Sequence, residues 1–347
     1  MSEDVGGYTL KTEFTTAGGG QSRWAFAERR GKQYFLKEFL KPKYPMEGSP
    51  GSDATKAAQR KDCAAFEKHH NAIQAVLGPV SAAGGNLVVA TDFFRAGSRY
   101  YKVTERVEVT DWAAADVARL PLSSRLLLML TVAHSLNVLH RAGLVHGDVK
   151  PPNILIKRLE EGRFGTKLID FDNAVLAAKP LPPPDQLVGD MAYYSPELVR
   201  YINAPNQRDR LTPRSDIFAL GLVYHEWLTG TRPGFDLDAR YAGVAVARGE
   251  RLRVGGMAPP ELRDLLVRMV TDPASDRPSA DEVHATLRGV RAAVGSDLDA
   301  GHHTAAPTAA EPSTLRGTLL KKGGRSKPTG GEGQALRGSL AERKARE

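Results

Sequence analysis

The sequence predicts an α+β protein of two lobes: a small strand-rich lobe with one main helix, then a larger lobe that is mostly helical. Three observations predict it. Short aromatic and β-branched runs punctuated by glycine fill the first third of the chain, and apolar residues at helical spacing fill the middle. At 347 residues the chain is also too long for one ordinary small domain. With 41% hydrophobic and 25% charged residues it has the composition of a globular protein with a sizeable core. The expected boundaries are 8–107 for the first lobe, 108–294 for the second and 295–347 for a tail.

In the first lobe, Trp24 to Ala27 and Gln33 to Phe39 read as two strands joined by a turn at Arg30-Gly31. A Pro/Gly/Ser loop follows, then a helix from about Asp53 to Leu77. Phe66, Ile73 and Leu77 recur there at helical spacing, and Gly78-Pro79 supplies the stop. Strand character returns at Leu87 to Ala90 and at Tyr100 to Val107. In the second lobe, helical periodicity covers 123–142, 215–229 and 260–271, with short strands at 154–156 and 167–169. The greasiest run, Leu126 to Leu139, is broken by His134, Ser135 and Asn137. It falls short of the roughly 20 apolar residues a membrane span requires, so a buried helix is expected and no membrane span. Beyond residue 295 Ala, Gly, Pro, Ser and Thr dominate, around His302-His303. Such a composition buries too little surface to offset ordering entropy, so a disordered tail is expected.

Forty-eight Lys and Arg against forty Asp and Glu give a net charge of +8, which favours anionic partners without choosing among them. A single cysteine, Cys63, excludes an internal disulfide framework and a Cys-based zinc cluster, and it suits a reducing compartment. The first residues are neither basic nor apolar, so no signal peptide is visible and a cytoplasmic chain is expected. Cys63 itself reads as a small packed side chain. The basic cluster from Arg23 to Lys43 reads as nucleotide electrostatics plus a solvated face, and nucleic acid is not an expected partner.

The chemistry concentrates in His146-Gly147-Asp148-Val149-Lys150-Pro151-Pro152-Asn153, followed seventeen residues later by Asp170-Phe171-Asp172. Two carboxylates and an amide in turns beside short strands can hold a divalent cation on phosphate oxygens, since Mg²⁺ takes hard oxygen ligands and shares them with its substrate. A nearby lysine can neutralise charge on a transferring phosphoryl group.

With these residues the chain resembles, over roughly 8–290, the eukaryotic-type (Hanks-type) serine/threonine protein kinase family in a bacterial-like form. The family's catalytic loop is H-R-D-x-K-x-x-N and its metal motif D-F-G. The resemblance implies the bilobal kinase fold, ATP and Mg²⁺ as cofactors, and protein substrates modified on Ser or Thr. It implies that Asp148 accepts the acceptor hydroxyl proton, that Lys150 contacts the γ-phosphate, and that Asn153 and Asp170 ligate Mg²⁺. Ser195-Pro196-Glu197 resembles A-P-E, Asp216 to Gly221 the buried helix that supports the catalytic loop, and Arg277 the ion-pair partner of Glu197. In the first lobe the resemblance implies Gly18 and Gly20 over the phosphates, Lys37 as phosphate anchor and Glu67 as its carboxylate partner on the helix. It also implies Ala25 and Leu155 beside the nucleotide, Thr104 as gatekeeper, and the backbone of Glu105 and Val107 facing adenine.

Several positions depart from the family pattern. Arg23 replaces the third glycine, and Phe35 replaces the small alanine before the lysine, with Ala25 expected to compensate its volume. Asp172 stands at the third position of D-F-G, and Asp190 replaces an expected threonine. Gly147 replaces the arginine that receives an activation-loop phosphate. The segment 171–194 holds no Ser or Thr but does hold Pro180, Pro182, Pro183 and Pro184. Receptor and phosphate site are missing together, so a kinase that does not require loop phosphorylation is expected. Two alternatives remain open: a small-molecule kinase of the aminoglycoside-phosphotransferase kind, in which H-G-D and I-D-F-D are at home, and a catalytically weak kinase-like scaffold.

Overall fold

A six-stranded antiparallel sheet opens the chain. The computed structural model describes residues 3–298 apart from 17–21, 83–85, 160–162, 178, 185–186, 188, 206–210, 237 and 257–258. The strands are β1 (Asp4–Val5), β2 (Tyr8–Leu10), β3 (Ser22–Arg29), β4 (Lys32–Phe39), β5 (Ala90–Ala96) and β6 (Arg99–Glu105), in the order β1-β2-β3-β4-β6-β5. The tight β3–β4 turn falls at Arg30-Gly31, where both residues have positive φ (52° and 75°), the twist that a two-residue hairpin favours. The sheet begins at Asp4, upstream of the expected boundary at residue 8.

Helix α1 (Asp53–Ala82) crosses behind the sheet and turns Cys63, His70, Ile73 and Leu77 inward. Its end corrects the sequence reading. Gly78-Pro79 does not stop the helix, which continues through Pro79 because Val80 packs against the main core. The apolar run at Leu87 to Ala90 is also not the expected strand. Leu87 instead makes an isolated bridge to Leu168 of the helical lobe, and β5 starts only at Ala90.

The second lobe comprises, among the described residues, α2 (Ala114–Ala118), α3 (Leu122–Arg141), α4 (Pro196–Asn203), α5 (Pro213–Thr229), α6 (Ala242–Ala247), α7 (Pro260–Met269) and α8 (Ala280–Leu298). Helix α8 runs past the expected boundary at 294/295, and residues 299–347, His302-His303 included, lie outside the described residues. Helix α3 is, among the described residues, the one helix long and apolar enough to cross a membrane. Nine of its residues are buried, Leu126, Leu128, Met129 and Leu136 among them, in a core shared with α5, α7 and α8. Two small ribbons carry the chemistry. The strand pair β7 (Leu144–Val145) and β10 (Val175–Leu176) brackets the loop from 146 to 153. The pair β8 (Ile154–Arg158) and β9 (Phe164–Leu168) leads directly into Asp170.

Candidate active site

Between the sheet and the helical lobe lies a cleft of about 700 Å³. On the sheet side it is lined by aromatic residues. Trp24 stacks on Phe35 at 5.3 Å and 27°, and Phe26 meets Trp24 edge-on at 5.4 Å. Thr104, Glu105 and Val107 line the edge that joins the lobes, and Leu155 and Ile169 line the opposite side.

Ala25 does not reach this cleft. Side chains alternate along a strand, so Trp24 and Phe26 share the cleft face with their cross-strand partners Lys37 and Phe35. Ala25 pairs with Leu36 on the other face and is fully buried there. The volume compensation expected between Ala25 and Phe35 therefore does not occur. Arg23 shares the Ala25 face and grips the fully buried Glu38 through two bonds of 2.8 and 2.9 Å. Gly18 and Gly20 lie outside the described residues.

The loop after β7 is fixed from beneath. Asp216, in the first turn of α5 and 2% exposed, accepts the backbone N–H groups of His146 (2.8 Å) and Gly147 (2.9 Å) and bonds the His140 ring. His146, fully buried, turns its ring to the Ile169 carbonyl at 3.0 Å and so ties this loop to the Asp170 turn. Gly147 has φ +75°, and a Cβ there would stand 2.7 Å from the Asn173 carbonyl oxygen, so the position suits only glycine. With the backbone held, Asp148 is presented with its carboxylate bonded to Lys150 Nζ at 2.8 Å and to the Asn153 amide at 3.0 Å. The Asn153 amide also donates to the Asp148 carbonyl, which closes the loop on itself.

Asp170 caps a short helical turn, Phe171–Asn173, from a left-handed backbone conformation (φ 64°) that is rare outside glycine and concentrates at functional sites. Phe171 buries itself against the His146 ring, so Asp172 points back toward the sheet. Lys37 meets both carboxylates, at 2.9 Å from Asp170 and 2.6 Å from Asp172. Lys102, opposite Lys37 in the β4–β6 register, reaches Asp170 at 3.6 Å and bonds Asp172 directly. Burial alone would pull the Lys37 ammonium down, but Asp172 and Asp170 outweigh it and hold its pKa above the ordinary value. Burial would likewise push Asp172 up, and Lys102 and Lys37 hold it well below the usual carboxylate range.

Glu67 is not part of this cluster. Its carboxylate accepts the Tyr100 hydroxyl at 2.5 Å, one helical turn before the position that faces the D-F-D turn. That position belongs to His70, whose Nδ1 lies 4.0 Å from Asp172 and whose pKa burial lowers to about 3, so the ring is neutral at physiological pH. The register was open because the Pro-containing loop between β4 and α1 leaves the helical phase to packing. Lys102 and His70 were absent from the sequence reading. A detectable signal did exist for Lys102, since it lies two residues before Thr104 and therefore on the same strand face.

On the helical lobe, Arg277 (1% exposed) holds Glu197 through bonds of 2.8 and 2.9 Å, and Ser215 adds a third at 2.7 Å. Burial pushes the Glu197 carboxyl up, but these bonds outweigh it and hold it below the ordinary value. Asp190 accepts the Ala192 N–H, and Tyr193 donates to Glu226 at 2.9 Å. In the proline-rich segment Leu181 is buried with Val145, Tyr194 and Tyr201, and the Tyr201 hydroxyl donates to the Pro182 carbonyl at 3.0 Å.

A family model described as the protein kinase domain matches residues 55–286. The matched stretch begins after Lys37, so β3 and β4 lie outside it. The serine/threonine-protein kinase drp72 of Corynebacterium efficiens is 34% identical over 212 residues, 58% of this chain and 37% of that protein. The serine/threonine-protein kinase PknL of Mycobacterium tuberculosis is 35% identical over 150 residues, 42% of this chain and 35% of that protein. The chain thus spans about a third of the length of these curated relatives. Among solved structures, the Cydia pomonella granulovirus kinase PK-1 superimposes with a TM-score of 0.56 at 19% identity, covering 81% of this chain and 95% of that one.

Proposed function

Since this chain belongs to the protein kinase domain family, we propose that it transfers the γ-phosphate of ATP to serine or threonine in protein substrates, and that it does so without phosphorylation of its activation segment. The observation that carries the reading is a carboxylate, a lysine and an amide on one braced loop: Lys150 at 2.8 Å and Asn153 at 3.0 Å from Asp148, beside an aromatic-lined cleft.

Adenine enters between the aromatic residues of the sheet and Leu155, with the backbone of Glu105 and Val107 at its edge. Lys37 takes the phosphates. Asn153 and Asp170 supply hard oxygen donors, a set too small to cage a cation alone and suited to Mg²⁺ that shares its remaining positions with phosphate. Bound there, Mg²⁺ would neutralise phosphate charge. Asp148 orients the acceptor hydroxyl and takes its proton, while Lys150, now paired with that carboxylate, moves to the transferring phosphoryl group.

Among its described residues, the segment that other kinases order by phosphate–arginine pairing is held here by packing and backbone pairing. Leu181 is buried, Pro182 accepts from Tyr201, and Val175 pairs with Val145 in the β7–β10 ribbon. The test uses the full chain stripped of phosphate by a phosphatase, then given labelled ATP, Mg²⁺ and a generic protein substrate. Label should appear on protein Ser/Thr at a rate linear from the first time point. Asp148→Asn should lose about a hundredfold or more in kcat with its melting temperature kept. Label confined to small molecules would refute the substrate class. A lag that shortens with enzyme concentration would refute the phosphorylation-independent state.

A further inference from the structure

The phosphate-anchoring lysine of a protein kinase must be aimed, and the usual device is an ion pair with a glutamate on the helix behind the sheet, whose movement switches the enzyme. Here that helix offers no carboxylate at the right place. Its residue facing the cluster is His70, and Glu67 is engaged by Tyr100. A carboxylate nevertheless stands within 2.6 Å of Lys37, and it comes from Asp172.

We propose that Asp172, compensated by Lys102, is the positioning carboxylate of Lys37, so that the lysine is aimed by the D-F-D turn and not by helix α1. The inference rests on reading the cleft as the ATP site. Three observations support it independently. First, Lys37 and Lys102 are directly opposite each other on adjacent strands, an arrangement that like charges make unfavourable unless an anion lies between them. Asp172 occupies that place, hydrogen-bonded to Lys102 and ion-paired with Lys37. Second, the charges balance within the cluster: two carboxylates, Asp170 and Asp172, face two ammonium groups. Lys37 also donates to both Asp170 oxygens, at 3.0 and 2.9 Å, so once Asp170 turns to a cation, Asp172 is the carboxylate left to keep Lys37 in position. Third, α1 is fastened to the same turn through its histidines. The His69 ring donates to the Asp172 backbone carbonyl at 3.2 Å, and neutral His70 packs beside the carboxylate. The helix supports the turn without contributing charge, so its displacement would not remove the partner of Lys37.

Relocating the carboxylate tests this. Asp172→Asn keeps the volume of the side chain and removes its charge. Its KM for ATP, and its dissociation constant for a fluorescent ATP analogue, should each rise about tenfold, the value of one hydrogen bond between charged groups. KM for the protein substrate should not move. Adding His70→Glu, which puts a carboxylate back from the helix side, should restore most of the nucleotide affinity, whereas His70→Glu alone should not improve on the wild type. Lys102→Met should cost less than Lys37→Met. Unchanged ATP parameters in Asp172→Asn, a double variant no better than the single one, or a larger loss at Lys102 than at Lys37 would each overturn the inference. Melting temperatures separate unfolding from misaiming, because a variant that merely loses stability is not rescued at position 70. If the wild type binds ATP but modifies no protein, the proposed function falls, and nucleotide affinity alone still decides the role of Asp172. A wild type that binds no nucleotide overturns both.

Discussion

The catalytic loop and the lysine cluster sit on either side of one cleft and are held by opposite means. The loop is fixed within its own lobe by short, directional bonds to backbone atoms. Asp216 accepts from two consecutive N–H groups, His146 turns to the Ile169 carbonyl, and Asn153 donates to the Asp148 carbonyl. The cluster is held by long side chains that cross from the sheet to the helical lobe, with Lys37 and Lys102 meeting Asp170 and Asp172. A backbone network tolerates little adjustment, whereas flexible ammonium groups can follow a carboxylate that moves. One side is built as a fixed reference, and the other is held by groups with room to adjust.

The largest expected effect attacks the fixed side. Arg277→Ala removes the buried guanidinium that anchors Glu197, and breaking a buried pair of this kind costs about 3–5 kcal/mol. Thermal melting should show a drop of that size, and a near-neutral result would mean that the helical lobe is not the rigid reference described. Gly147→Ala should come next. A left-handed non-glycine residue costs of order 1–3 kcal/mol, and here the added Cβ also meets the Asn173 carbonyl oxygen. Its kcat should fall further than its stability alone explains, because Asp148 is the next residue. An alanine variant with wild-type kcat would show that the loop is more compliant than its bonding suggests. The smallest effect should come from Tyr201→Phe, which deletes one hydrogen bond, to Pro182, worth about 1 kcal/mol. A slower initial rate with little loss of melting temperature would tie the proline-rich segment to catalysis. An unchanged rate would leave Leu181 to hold it alone.

The same division explains what could be read from the sequence. His146 to Asn153 are close along the chain, so their spacing and turn residues dictate the local geometry. Asp170 follows from a strand pair that cannot be much longer or shorter. The Glu197–Arg277 pair spans eighty residues, yet motif resemblance on both sides located it. The sheet side was less legible. A one-residue offset of the glycine-loop pattern assigned Ala25 to the cleft, and a period of two then put it on the wrong face, where Trp24 in fact belongs opposite Lys37. Glu67 was one helical turn early because the loop before α1 fixes no phase. Asp172 read only as a departure from glycine, since its meaning depends on Lys102 and His70, which are far apart in sequence and meet through packing alone.

The aromatic lining of the cleft also has an optical consequence. The chain holds three tryptophans. Trp24 and Trp112 face the cleft, while Trp227 is packed into the core at 2% exposure. Two emitters therefore face any ligand and one serves as an internal standard. The unlabelled protein should report nucleotide entry as a change in the cleft-facing part of its fluorescence, with the buried component constant.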